Sequence, residues 1–231
     1  MSLFNDPPVS SKTLRVLARL IGYPSAELRA NLAPLRDALH GERALSQQRL
    51  AELDAMIDSL ERVAPLDSEA DYVQLFDRGR ATSLHLFEHV HGDSRDRGPA
   101  MIDLAQAYEK AGLFLADGEL PDYLPVVLEF ASTQPPREAC AFLAEITHIF
   151  NALFAALQQR GSAYAAVFAA LLELAGEKPQ PVHLAVDEAI DATWEEPPVF
   201  DGCSSKGQAP PDQPQPITIV RSVRPDQGAR A

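Results

Sequence analysis

Residues 83–98 read SLHLFEHVHGDSRDRG, and inside them His85-Leu86-Phe87-Glu88-His89 satisfies the pattern H-x-x-E-H. That string has two readings, and they imply different folds. In zinc hydrolases, two histidines one helical turn apart share the metal and a glutamate activates a bound water. Such enzymes are mostly larger α/β or multi-domain proteins, and their site needs a third protein ligand from a second element. Glu129, Glu138, Glu145 and Glu173 lie downstream, but none stands out by spacing. The other reading is an amphipathic helix, with Leu84, Phe87 and Val90 forming the buried stripe and His85, Glu88 and His89 on its flank. His91 beside Gly92 then suits a helix C-terminus, where an imidazolium offsets the dipole. The flanking sequence favours this second reading, with adventitious zinc or nickel binding more readily expected than catalysis.

Working outward, helical spacing dominates as far as residue 194. SSKTLRVLARLIGYP offers Ser10 or Ser11 as N-cap, followed by Leu14, Leu17, Ala18 and Ile21 at i, i+3, i+4 and i+7. Ser25 caps a second helix, which Pro34 kinks or ends. Ser46 opens a third through Leu50, Leu53, Ile57 and Leu60, and a fourth begins near Asp67. After the polar GDSRDRG loop, Pro99 suits the first turn of a helix bearing Met101, Leu104, Ala105, Tyr108 and Leu115. Asp122 is expected to cap the next helix, and a long one is expected from Arg137 to Gln159. Gly161 breaks it before a last buried helix that ends at Gly176. The expected fold is all-α, eight or more helices in one globular domain over residues 1–194.

Beyond Trp194 the composition changes. The stretch from Pro197 to Ala231 holds seven of the chain's 19 prolines and a net charge of +1, so the acidity of the whole (−13) belongs to the helical part. Residues 195–231 read as a flexible, proline-rich tail, within which QPITIVRSV is the one strand-like run. The acidic balance argues against nucleic acid and favours a basic ligand or polypeptide. Two cysteines imply no disulfide framework. The first residues lack the pattern of a secretory leader, and no apolar run reaches the ~18 residues of a membrane span. A cytoplasmic protein without direct membrane insertion is expected. G-x-S-x-G, P-loop and G-x-G-x-x-G motifs are absent from the sequence.

Two longer strings are more specific than H-x-x-E-H. DYVQLFDRGRATSLHLFEHVHGDSRDRGPAMIDL (71–104) closely resembles the signature region of NarJ-type proteins. These are the delta subunits of respiratory nitrate reductase, within the TorD/DmsD/NarJ family of molybdoenzyme chaperones. ELPDYLPVVLEF (119–130) resembles the second hallmark of that family, and LARLIGYPSAELRANL its first two helices. The resemblance implies an all-helical domain with no catalytic residue, metal or cofactor of its own. It implies a chaperone that binds the N-terminal segment of the catalytic (alpha) subunit apoprotein. Such a chaperone keeps its client competent for molybdenum cofactor insertion and delays membrane docking. The cofactor delivery machinery is a further partner. A chaperone for an N- or S-oxide reductase is the alternative within the family, and the zinc hydrolase on His85, Glu88 and His89 is the alternative outside it.

A groove for a peptide helix needs an apolar floor and a polar rim that reads charge. Tyr72, Phe76, Leu86, Phe87, Tyr123 and Leu124 are the expected floor, and Asp71, Glu88, Asp93, Asp122 and Glu129 the rim. Each of these apolar residues also has a core-packing reading, which is the favoured one for Phe76 and Phe87. Arg80 and Arg97 are expected to pair with Asp77, Asp93 or Asp96 and so fix the loop. His85, His89 and His91 would weaken capture of a basic ligand on protonation.

Overall fold

The computed structural model describes residues 8–91 and 94–180. Within them the chain forms eleven α-helices and one 3-10 turn, Arg80–Thr82. The helices are α1 Ser11–Ile21, α2 Ala26–Ala30, α3 Leu32–Glu42, α4 Gln47–Arg62, α5 Pro65–Phe76, α6 Leu86–Val90, α7 Arg97–Lys110, α8 Leu124–Thr133, α9 Pro136–Glu145, α10 Thr147–Gln159 and α11 Ala165–Leu174. The all-α expectation holds for the described residues. The expected boundary near Trp194, the proline-rich segment and QPITIVRSV all lie outside them.

Two helices organise the core. In α1, Leu14, Leu17, Ala18 and Ile21 are buried as their spacing predicts, and the helix packs on α8, α3 and α11. α11 is apolar apart from Glu173, with Val167 to Leu172 all buried, so it sits inside and packs on α10, α4 and α9. Acidic side chains from neighbouring helices satisfy the free N–H groups that open α1 and α4. The Glu42 carboxylate, at the end of α3, accepts from Lys12 N (3.0 Å) and Thr13 N (2.6 Å). Glu173 of α11 accepts from Ser46 N (2.6 Å) and Ser46 Oγ (2.8 Å), while Ser46 Oγ itself caps Arg49 N. Negative charge at these positions also suits the helix dipole.

Three local expectations change. The long helix expected over 137–159 is two helices, α9 and α10, meeting at 64°. Thr147 Oγ1 donates to the Ala144 carbonyl (3.0 Å), and Ile146 N turns to Leu143 O (3.2 Å). The side chain and the tightened turn thus take carbonyls that a continuous α-ladder would use. The chain breaks at Asn31, before Pro34, which falls in the first turn of α3. The expected stripe Leu84, Phe87, Val90 is replaced by Leu84 and Leu86, both buried, while Val90 is 53% exposed. His85, between them, is extended rather than helical, so the side chains of Leu84 and Leu86 fall on the same side.

Candidate functional site

The two motif strings meet in space. Leu86 N donates to Asp122 O (3.0 Å) and Leu124 N to Leu84 O (2.9 Å), which makes an antiparallel bridge between His85 and Tyr123. The Asp122 side chain completes the joint. Its Oδ2 accepts from Phe87 N (3.2 Å) and its Oδ1 lies 3.3 Å from His85 Nδ1. Arg97 Nη2 stands 4.0 Å from Asp122 and 3.8 Å from Glu88. Asp122 is fully buried. It therefore sits behind the rim expected of it, and it caps α6 across the chain instead of α8. A buried carboxylate survives only with such donors. Tyr108 OH donates to Pro121 O (2.8 Å) and holds the second string from the other side.

The histidines of H-x-x-E-H do not face a common point on a helix. His85 precedes α6 and turns to Asp122, whereas His89 Nε2 lies 2.8 Å from Ser83 O. Among the described residues, no three His, Cys, Asp or Glu side chains are grouped to hold a metal ion. The hydrolase geometry is not assembled, because both imidazoles are committed to fixing the segment between Ser83 and Val90.

Of the expected floor, Tyr72, Phe76, Leu86 and Leu124 are at most 5% exposed. Tyr72 OH donates to Ile21 O (3.1 Å), and burial pushes this phenol well above its ordinary range. Phe87 is half-buried with its ring 5.3 Å from that of His91, and the Tyr123 ring lies 5.4 Å from His85. Glu88, His89 and Arg97 are half-exposed; Asp71, Arg80 and Glu129 are exposed. Asp93 lies outside the described residues. Arg97 approaches Glu88 and Asp122 and so ties α7 to the joint. Asp96 accepts from Ser94 Oγ (3.1 Å).

Sequence reasoning missed Thr82 and Arg160. Thr82 is fully buried, and its hydroxyl donates to Leu75 O while accepting from Arg160 Nη1 (2.9 Å). A Cβ on Gly79 would stand 3.2 Å from the same guanidinium, so the glycine of DRGRATS leaves room for Arg160. No spacing signal links residues 82 and 160. Tyr123 and Glu129 also line a groove of about 480 Å³ with residues of α1, α2 and α3.

The Asp122 hydrogen bond raises the His85 pKa above its ordinary ~6.5; burial and Arg97 oppose the shift, and Glu88 adds to it. A proton held more tightly in the folded than in the unfolded state stabilises the fold. That contribution is full below about pH 6.5 and is lost as pH rises through the raised folded value. The stability advantage of wild type over His85→Gln should therefore shrink between about pH 6 and pH 8 in urea unfolding. A constant difference would mean that the pair carries no proton linkage.

In this all-helical chain the two motif strings are clamped together at Asp122. A solved structure from Archaeoglobus fulgidus, described as a candidate redox enzyme maturation protein, matches this fold with a TM-score of 0.53. It is 19% identical, over 72% of this chain and 94% of that one. The sequence profile described as "Nitrate reductase delta subunit" matches residues 24–170, and the chain belongs to that family. Escherichia coli (strain K12) has a relative 43% identical over 193 residues, 79% of this chain and 82% of its own. It is named "Nitrate reductase molybdenum cofactor assembly chaperone NarJ". A Bacillus subtilis (strain 168) relative, "Probable nitrate reductase molybdenum cofactor assembly chaperone NarJ", is 32% identical over 69% of this chain and 86% of its own.

Proposed function

We propose that this protein is an assembly chaperone for respiratory nitrate reductase, with no catalytic activity of its own. It binds the N-terminal segment of the catalytic subunit apoprotein in the cytoplasm and holds it competent for molybdenum cofactor insertion. It delays membrane docking and leaves before the enzyme is complete. The cofactor delivery machinery is its second partner. The observation that carries this reading is the match to the E. coli assembly chaperone over about four-fifths of both chains. The clamp of His85, Asp122 and Tyr123 adds to it, since it spends the motif's titratable groups on architecture. Among the described residues no single helix is long and apolar enough to cross a bilayer. The net charge of −13 suits a basic client segment.

Calorimetric titration of the metal-free protein with a synthetic peptide of the catalytic subunit's N-terminal segment tests the proposal. Saturable one-site binding is expected. No heat and no saturation at high micromolar peptide would overturn it.

A further inference from the structure

Two grooves on the described surface differ in how much of their acidic charge is already paired. The larger, about 1350 Å³, runs between α4, α10 and α11. Two of its three acidic groups are already committed: Arg49 pairs with both Glu52 and Glu173, and Glu173 also holds the start of α4, while the third, Glu177, has Lys178 beside it in the lining. The smaller, about 480 Å³, lies between α1, α2, α3 and residues 119–129. This volume lies within the ~300–1,000 Å³ typical of ligand clefts and admits a few side chains rather than a folded domain.

The smaller groove is built for an apolar segment with a positive end. Ala18 and Leu28 are buried beneath it, Leu35 and Val126 are half-buried, and Tyr23, 47% exposed, supplies an aromatic wall. Tyr123 forms another part of the lining. Glu27, Glu119 and Glu129 face a single cation, Arg19. Glu27 and Glu129 are exposed and make no ion pair among the described residues. Their charge is therefore available to an incoming ligand, unlike that of Glu52 and Glu173. Tyr123 joins this groove to the motif, because its backbone bridges His85 and its ring packs on the imidazole. The clamp at Asp122 thereby positions one part of the lining without facing the ligand.

We propose that this groove, and not the face of the signature segment itself, receives the client. The occupant is a short amphipathic segment that places apolar side chains between Tyr23 and Tyr123 and lysine or arginine against Glu27 and Glu129. The inference rests on the chaperone reading above and adds the site and the chemistry of the ligand.

The test uses the full chain and the same synthetic peptide at about 0.15 M salt, where charges more than ~8 Å apart are largely screened. Glu27→Lys with Glu129→Lys reverses the rim. Glu109→Lys with Glu138→Lys makes an equal charge change on exposed residues of α7 and α9, outside the groove lining. Circular dichroism verifies that both fold, and Val126→Trp, which fills the groove without altering charge, gives an independent reading. The rim variant should lose about tenfold or more in affinity and the control less than about threefold, with Val126→Trp also weakened. Equal losses in rim and control variants would reduce the effect to net charge and overturn the groove. Unchanged affinity in the rim variant and Val126→Trp would overturn the groove while leaving the chaperone reading intact. A wild-type protein that binds no peptide would remove both.

Discussion

Replacing Asp122 by alanine should cost the protein about 3 kcal/mol of stability. The carboxylate is fully buried, accepts from Phe87 N and faces His85 Nδ1, with Arg97 at its edge. Alanine leaves the Phe87 N–H without its acceptor and strips His85 and Arg97 of their buried partner. Both effects act on the junction between the two motif strings, so the loss is not confined to one helix. Urea unfolding should show a lower midpoint with an unchanged slope. Asp122→Asn keeps an acceptor for Phe87 N but removes the charge, and should lose roughly half as much. Peptide affinity should fall as well, because Tyr123 is released from its bridge. A loss below about 1 kcal/mol for the alanine variant would show that water replaces the carboxylate, and the clamp would then hold nothing.

Phe76→Ala should be more damaging to the fold and nearly silent in binding. The ring is 5% exposed and packs at 4.8 Å from that of Tyr72 and 5.1 Å from that of Tyr164. Removing it leaves a cavity between α5 and the start of α11, for an expected loss of about 3–5 kcal/mol. Tyr72 is held to Ile21 O and Tyr164 is itself buried, so collapse around the void is limited. Measured at low temperature, where most of the variant remains folded, peptide affinity should stay within about threefold of wild type. A tenfold loss of affinity with stability intact would restore Phe76 as a contact residue. Phe76→Leu, a smaller volume change, should lose less than the alanine variant and serves where the alanine variant is too unstable to titrate.

These two residues mark how far the site was legible. The sequence singled out Asp122 as a rim charge and Phe76 as a floor candidate for which core packing was favoured, and in the folded chain both are covered. The residue types were informative, since a carboxylate beside a tyrosine and an aromatic one turn after another are chemically loaded positions. The direction of Asp122 was not, because its burial depends on which distant segment packs over it. Glu27 and Arg19 had no such prominence in the sequence. They matter only because α1 and α2 come to lie beside residues 119–129.

The helices themselves were readable from local order. Leu14, Leu17, Ala18 and Ile21 recur at helical spacing, Ser25 and Ser46 cap where expected, and Gly161 adopts a positive φ of 65° at the break before α11. Each of these depends on residues within one or two turns, so the amino-acid order determines it directly. The same order also set the acidity and the family. Only the tertiary structure decided that Thr82 meets Arg160, that Glu42 and Glu173 cap helices other than their own, and that His85 faces Asp122 rather than His89. Those contacts join positions from about thirty to well over a hundred residues apart. No period in a chain encodes such a distance; it is set by which apolar faces can be buried together, and the polar partners follow from that packing.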